Sequence, residues 1–242
     1  MSPELYFAVM LITNPQKARR ILMARDLENW FMDIFDDEYE DILNGSFISN
    51  QSSYIERIVD KYLDIAKTDI TGTDDYSKMV IQRATETASE IQETTLRNIA
   101  YPSSTKTPTA ESASDRVGGS DRADEIRDLI LSGIAVSASL IPDEIKRFVG
   151  KTRANLIALN ESNWVWNNRE FFDASESKKT KTWHTALDEK VRLNHMAVEG
   201  VTIPIDEYFI VGTSHMLYPL DMSSGDVSAD EVINCRCSLS YN

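Results

Sequence analysis

The chain has 242 residues and carries 39 Asp and Glu against 25 Lys and Arg, which gives a formal net charge of −14. We expect a soluble globular protein of one or two domains, because single hydrophobic cores stop growing at about 250 to 300 residues. No apolar run reaches the roughly 18 residues that cross a bilayer, and the first stretch has an acid, Glu4, where a secretory signal has bases. The sequence therefore predicts neither secretion nor membrane insertion.

Charge is unevenly distributed along the chain. Residues 1–100 carry 18 acids and 10 bases, whereas residues 146–196 carry 10 bases and 6 acids. Neutralising the phosphates of a nucleic acid requires clustered Lys and Arg, so a weak contact with DNA is expected only through 146–196. Solvation of helix faces explains the same bases and is the favoured interpretation.

Two apolar stripes in the first hundred residues have the spacing of amphipathic helices. Large apolar residues recur at i, i+3, i+4 and i+7, which places them on one helix face. The first stripe contains Leu27, Trp30, Phe31, Ile34 and Phe35, and the second contains Ile55, Ile58, Val59, Tyr62, Leu63 and Ala66. A third, Thr-rich helix is predicted from Tyr76 to Ala100. Residues 1–100 are therefore predicted to form a helical N-terminal module.

The break between the first two helices is predicted at Asn44-Gly45-Ser46. Glycine adopts the left-handed conformation that ends a helix without the steric cost of a Cβ. The next helix needs a side-chain oxygen that accepts a hydrogen bond from a free backbone N–H at its start. We expect that cap to be Asn50, Ser52 or Ser53.

Residues 101–120 are dominated by Ser, Thr, Pro and Gly and contain few large apolar groups. Such a segment cannot offset its ordering entropy by burial, so we expect a flexible linker and a domain boundary there. The spacing of apolar residues becomes helical again over residues 126–134. The first turn of a new helix is predicted at Asp143-Glu144, where acids interact favourably with the helix dipole. A further helix is predicted from Ala154 to about Asn168.

The region after residue 180 is predicted to contain one more helix and then short strands. The helix is expected over Trp183–His195, where His184, Asp188, Val191 and His195 would project from one side. Strands are expected at 201–203, 208–211 and 233–239. The fold class that follows is α+β: a mostly helical body, with helices to about residue 196, and a small β-rich cap over 197–242.

The two cysteines of the chain, Cys235 and Cys237, are too close together to close a useful disulfide loop. In a strand, residues two apart point to the same face, so both thiolates would reach one tetrahedral Zn²⁺. His195 is the expected third ligand. The alternative is a pair of reduced, partly buried thiols. Arg236 would point to the opposite face, where it pairs with an acid.

An ordered set of motif residues lies in the C-terminal two fifths of the chain. It ends with Asp188-x-x-x-Arg192-x-x-His195, Gly200, Phe209, Tyr218-Pro219 and Asn234-Cys235-Arg236-Cys237. Upstream, it contains Arg153-Ala154, Ile157-Ala158, Asn160-Glu161 and Asn167. This set resembles the Mu F-like minor head proteins, the head morphogenesis family of tailed bacteriophages. The similarity covers residues 147–242, and it implies a Mu F-like domain over 121–242 with structural roles for Asp188, Arg192, Gly200, Asn234 and Arg236.

The resemblance also implies a function. It predicts a minor capsid protein associated with the portal vertex or the head interior, which acts in head assembly, in genome delivery or in both. The implied partners are the portal protein and the major capsid or scaffold protein, with no membrane involved. The implied location is the virion head near the portal, and the host cytoplasm during assembly.

A catalytic role is the alternative to a role in assembly. On a helix, His184 and Asp188 would be close enough to form a hydrogen-bonded acid and base. The sequence contains no G-x-S-x-G elbow, HExxH motif or phosphate-binding glycine loop, so we expect no catalytic residue and no enzyme activity. An ion pair between Asp188 and Arg192, four residues apart, explains the same acid without catalysis.

Two other functions remain open on the residues alone. A zinc-binding adaptor or regulatory module would also combine a helical body with a cysteine-containing cap. A metal-dependent hydrolase or nuclease would need a solvent-open site around His184, Asp188 and His195.

Overall fold

The computed structural model describes residues 15–68, 72–100, 128–129, 131–133 and 149–242. The chain divides into two compact units. The helical unit comprises Asn29–Ala154, and the C-terminal unit comprises the residues up to Glu28 together with Asn155–Asn242.

Three sequence predictions fall wholly or largely outside the described residues. The predicted linker over 101–120 and the predicted helix start at Asp143-Glu144 lie outside them entirely, and only five residues of the predicted helix over 126–134 lie inside them. The domain boundary at 101–120 therefore stays a prediction.

Three long helices were expected in the first hundred residues, and the structure contains them: α1 (Pro15–Asn44), α2 (Phe47–Ala66) and α3 (Asp75–Ala100). The apolar stripes are the buried faces, since Phe31, Ile34 and Phe35 on α1 have no exposed surface. On α2 the buried side chains of the predicted stripe are Ile58, Tyr62, Leu63 and Ala66. Helices α2 and α3 pack against each other.

The turn between α1 and α2 is confirmed at Gly45, whose φ of 79° is in the left-handed region. The predicted cap is wrong, because α2 begins at Phe47 directly after Ser46. The turn is completed within two residues, since the backbone N–H of Ser46 already donates to the Asp41 carbonyl at 2.9 Å. Asn50 lies inside α2 and donates to Asp41 Oδ2 at 2.7 Å.

A buried carboxyl group lies in the helical unit. Glu38 has no exposed surface and accepts hydrogen bonds from Gln92 Nε2 at 2.5 Å and from Thr95 Oγ1 at 3.3 Å. Arg153 donates to the same hydroxyl group, Thr95 Oγ1, at 2.6 Å. Burial raises the pKa of Glu38 to about 7 in spite of these partners. The protonated form of Glu38 is therefore favoured by folding.

This pKa shift predicts a pH dependence of stability. The unfolded chain releases the Glu38 proton near its ordinary value, about 4.3, while the folded chain holds it to about pH 7. The folded protein thus binds more protons than the unfolded chain between these two pH values. The stabilisation from protonated Glu38 is therefore complete below pH 4.3 and is lost as the pH rises through 7. We expect Glu38→Gln to remove that loss, on the order of 1 to 3 kcal/mol.

Urea unfolding of wild type and Glu38→Gln at pH 5 and pH 8 measures this difference. Glu40→Gln is the control, because Glu40 is an exposed acid on the same helix and should leave the wild-type pH dependence unchanged. Equal pH dependence in the Glu38→Gln variant and the wild type would show that this carboxyl group contributes nothing to it.

The predicted helix from Ala154 is confirmed as α4 (Lys151–Ser175), which extends seven residues past the expected end at Asn168. Its buried face contains Trp164 and Phe171. Three asparagines on α4, Asn163, Asn167 and Asn168, are buried as well. Buried amide groups need partners, and each of the three Nδ2 atoms donates to an acceptor within residues 218–237.

The α+β fold class is confirmed by a small antiparallel sheet after α4. Strand β1 (Thr180–His184) lies between β2 (Thr202–Pro204) and β5 (Ser238–Tyr241), and β3 (Phe209–Val211) pairs with β4 (Ser214–Met216). Two short helices, α5 (Leu193–Ala197) and α6 (Ala229–Val232), connect these strands. The strands predicted at 201–203 and 208–211 therefore overlap β2 and β3.

The predicted helix over Trp183–His195 is wrong. Trp183 and His184 belong to β1, and only the last residues of the predicted range lie in α5. The local spacing is overridden by pairing on both sides of β1, where Trp183 lies opposite Leu239 and Thr182 lies opposite Thr202. Such pairing satisfies the backbone of both neighbours and depends on residues distant in sequence.

The inner face of β1 carries Lys181 and Trp183, neither of which has exposed surface. Lys181 Nζ lies 5.0 Å from the ring centroid of Phe171 and 5.5 Å from that of Phe209. Burial lowers the pKa of this lysine to about 8. This face of β1 is thus part of the core of the C-terminal unit.

The predicted terminal strand over 233–239 is also corrected, since β5 begins at Ser238. Asn234, Cys235, Arg236 and Cys237 form the segment between α6 and β5, here called the NCRC segment. The expectation that both thiols lie on one face of a strand is therefore wrong in its geometry. A turn, with Asn234 at a φ of 58°, brings them together instead.

Candidate metal centre

Three predicted ligands, His195, Cys235 and Cys237, lie together in the C-terminal unit. His195 Nδ1 is 3.2 Å from Cys237 Sγ and 3.7 Å from Cys235 Sγ. All three ligand atoms lie within 4.8 Å of one another, and each side chain is at most 3% exposed. Both thiols are free. We call these three residues the His-Cys-Cys cluster.

The imidazole of His195 is held in place from two other directions. Its ring packs edge-to-face on Trp183, with the centroids 5.9 Å apart. On the side away from the thiols, its Nε2 lies 2.9 Å from Glu231 Oε2. A carboxylate only accepts hydrogen bonds, so Nε2 carries the proton and donates. The lone pair of Nδ1 then faces the two sulfur atoms.

The carboxylate of Glu231 is itself held by a hydrogen bond. The sequence analysis did not identify Glu231 as a residue of this site. Asn194 Nδ2 donates to Glu231 Oε1 at 2.6 Å, and the carboxylate is 7% exposed. Gly212 leaves room for this pair, because a Cβ there would lie 2.8 Å from Glu231 Oε1. Glu231 belongs to no recognised motif, and its position four residues before Cys235 is the only sequence signal for it.

Asparagines of α4 hold the backbone of the NCRC segment. Asn163 Nδ2 donates to the Cys235 carbonyl at 3.0 Å, and Asn167 Nδ2 donates to the Cys237 carbonyl at 3.2 Å. Asn160 Oδ1 accepts from the backbone N–H of Asn234 at 2.7 Å. Spacings of three and four residues put these amides on one helix face. The sequence contained this pattern, but its role was missed.

Arg236, which lies between the two cysteines, pairs with an acid, as expected. Its guanidinium donates to both carboxylate oxygens of Asp188, at 2.5 and 2.7 Å, and this pairing lowers the pKa of Asp188 to about 2. The predicted pair of Asp188 with Arg192 is wrong, because Arg192 donates to the backbone carbonyl of Ile233 instead. Loss of the predicted helix over 183–195 separates these two residues.

The remaining predicted structural residues lie at turns around the cluster. Gly200 has a φ of 72°, and its backbone N–H donates to the Trp183 carbonyl at 2.9 Å, next to β2. Asn234 occupies the left-handed conformation that asparagine tolerates better than most residues. Both positions therefore shape the backbone that carries the ligands.

The hydrolase hypothesis needed His184, Asp188 and His195 in one site, and the structure separates their contacts. His184 Nε2 is 2.8 Å from Ser240 Oγ, on the strand pair β1–β5. Asp188 pairs with Arg236, and His195 contacts the thiols and Glu231. The predicted acid–base pair of His184 and Asp188 is not formed.

The sequence model of the family described as Phage Mu protein F like protein matches residues 120–240. The chain belongs to this family. Its members are phage head morphogenesis proteins, which confirms the resemblance of the C-terminal residues and extends it upstream of residue 147. No curated protein and no solved structure matches the sequence.

In this Mu F-like chain the two thiols are electrostatically coupled. A hydrogen bond with Cys237, followed by the contact with His195, lowers the pKa of Cys235. The same hydrogen bond, together with burial, raises the pKa of Cys237. Cys235 therefore ionises more easily than Cys237.

The His-Cys-Cys cluster lines a small surface cleft of the C-terminal unit. The polar residues that line this cleft with the cluster are Lys190, Arg192, Asn234 and Arg236. The cluster itself is buried, since each of its three residues is at most 3% exposed. Over the described residues, no helix is both long enough and apolar enough to span a membrane.

Proposed function

We propose that this Mu F-like protein is a minor capsid protein of a tailed bacteriophage, located at the portal vertex or in the head interior. It acts in head assembly, in genome delivery or in both, by contacts with the portal, major capsid or scaffold protein. The observation that carries the proposal is the family match over residues 120–240, half of the chain.

A non-catalytic role is part of this proposal. A hydrolase or nuclease would use His184, Asp188 and His195 together. In the C-terminal unit each of them bonds a different residue instead. Asp188 forms a two-pronged ion pair with Arg236, and such a pair positions a chain segment. These contacts support a protein that acts by presenting surfaces to other head proteins.

The acidic face of α1 is the partner surface that we propose in the helical unit. Phe31 and Phe35 are buried within the protein, so the aromatic stripe itself is not available to a partner. Asp33, Asp36 and Glu40 are exposed, and their spacing puts them on neighbouring positions of one helix side. Their charge would steer the protein toward a basic face of a portal or capsid protein.

The proposed DNA contact through residues 146–196 is weaker than the base count suggests. Arg153 donates to Thr95, Arg169 pairs with Asp173, and Lys181 is buried. The exposed lysines of this segment in the C-terminal unit are Lys178, Lys179 and Lys190. So few phosphate contacts support only weak, salt-sensitive binding.

The test is complementation of a phage whose copy of this gene is deleted, followed by mass spectrometry of purified heads. We expect wild-type protein in the particles in low copy number. The triple variant Asp33→Lys, Asp36→Lys, Glu40→Lys should be incorporated about tenfold less, because a reversed charge opposes docking. The matched control reverses the same number of exposed acids on α3, Glu86, Glu90 and Glu93.

The control variant separates the proposed surface from net charge. Equal incorporation of both variants at the wild-type level would remove α1 as the docking surface. Absence of the wild-type protein from both immature and mature heads, with normal particle yield after the deletion, would contradict the proposed function itself.

A further inference from the structure

We propose that the His-Cys-Cys cluster binds one Zn²⁺, through His195 Nδ1, Cys235 Sγ and Cys237 Sγ. Zinc in proteins is tetrahedral, with bonds of about 2.0 Å to nitrogen and 2.3 Å to sulfur, so neighbouring donor atoms lie roughly 3.5 to 3.8 Å apart. The observed separations from His195 Nδ1, 3.2 and 3.7 Å, are close to these values. Binding of an ion therefore requires only small side-chain movements.

The surroundings of His195 are those of a metal ligand. Metal-binding histidines donate their second ring N–H to a carboxylate, which orients the ring and increases its basicity. Glu231 accepts from Nε2 at 2.9 Å, and Asn194 in turn holds Glu231 at 2.6 Å. This chain of contacts directs the free lone pair of Nδ1 toward the thiols.

The two sulfur ligands are equally preorganised. Asn163 and Asn167 anchor the carbonyls of Cys235 and Cys237, so the spacing of the thiols is set by a long helix. Two thiolates and one imidazole form a donor set that selects zinc over magnesium or calcium, which prefer oxygen ligands.

The fourth coordination position is filled by a water molecule in this proposal. Among the residues that the structure describes, no further histidine, cysteine or acid joins the three ligand atoms. The three residues line the cleft that Lys190 and Asn234 also line, and we place the water molecule on that side. The ion has a structural purpose, because the neighbouring strands β2 and β5 have only three and four residues. Sheets this small need a packed helix or a metal for stability.

The test begins with full-length protein purified under reducing conditions without added metal. We expect about one equivalent of zinc per chain by elemental analysis, and we expect Cys235→Ser and Cys237→Ser each to lose most of it. His184→Ala is the matched control, because His184 lies on β1 and bonds Ser240 outside the cluster. It should retain the full equivalent.

Two further measurements remain decisive where a cysteine variant does not fold. Wild-type protein exchanged with Co²⁺ should show a thiolate-to-cobalt charge-transfer band. Glu231→Gln should keep the metal but bind it about 10- to 100-fold more weakly in competition with a chelator, because Glu231 orients a ligand without being one.

Three outcomes would overturn the proposal. They are less than about a tenth of an equivalent of zinc with no uptake on addition of ZnCl₂, a cobalt spectrum without the thiolate band, or full zinc retention in both cysteine variants. All are measured on the isolated protein, so they are independent of whether it enters phage heads.

Discussion

Trp183→Ala is expected to destabilise the C-terminal unit by about 3 to 5 kcal/mol, the range for removing a large aromatic side chain from a core. Trp183 has no exposed surface and lies on the central strand β1. Its ring contacts those of Phe209 and His195 edge-to-face, with centroids 5.1 and 5.9 Å apart. The substitution therefore opens a cavity between the sheet and the His-Cys-Cys cluster.

Urea unfolding followed by circular dichroism measures this loss. Trp166→Ala is the control, since Trp166 on α4 is only half-buried and its removal leaves a smaller cavity. We expect the control to lose clearly less stability than Trp183→Ala. Equal losses in the two variants would mean that Trp183 is not the central packing residue of this unit.

The double variant Asn163→Ala, Asn167→Ala is expected to lose about 2 to 6 kcal/mol of unfolding free energy. Each amide donates to a carbonyl of the NCRC segment, and each carbonyl left unpaired in a buried place costs about 1 to 3 kcal/mol. The same two bonds join α4 to the NCRC segment, so their loss loosens the link between the helix and the cluster.

Asn155→Ala provides the comparison on the same helix. Asn155 is exposed and bonds Glu28 at 3.0 Å, so its removal should change stability by less than about 0.5 kcal/mol. The free energies come from urea titrations of the single and double variants. A double variant as stable as Asn155→Ala would show that water replaces both buried hydrogen bonds without cost.

The network around the cluster explains why several polar residues of the C-terminal unit are buried. Asn194, Glu231 and His195 form one chain of hydrogen bonds that ends at the thiols. Asn163 and Asn167 satisfy carbonyls of the same segment. Buried polar groups are costly unless they are fully paired, and pairing of this kind specifies one arrangement of the chain.

Local sequence information was sufficient for the three helices α1, α2 and α3. The stripe that contains Phe31, Ile34 and Phe35 is periodic within one element, and the turn at Gly45 depends on one residue's freedom to adopt a positive φ. The order of motif residues that ends in Cys235 and Cys237 was likewise sufficient to identify the Mu F-like family. Both signals are contained in short stretches of chain.

Only the tertiary structure determined that Trp183 lies in a strand and which residues contact the His-Cys-Cys cluster. The helical spacing after residue 183 was overridden because β1 pairs with β2 and β5, and β5 lies more than fifty residues away in the chain. The contact of Glu231 with His195 joins residues 36 apart, and that of Asn163 with Cys235 joins residues 72 apart. The periodicity of side chains depends only on neighbours within one helix or strand. These pairs form because folding buries both polar groups, which must then bond to each other.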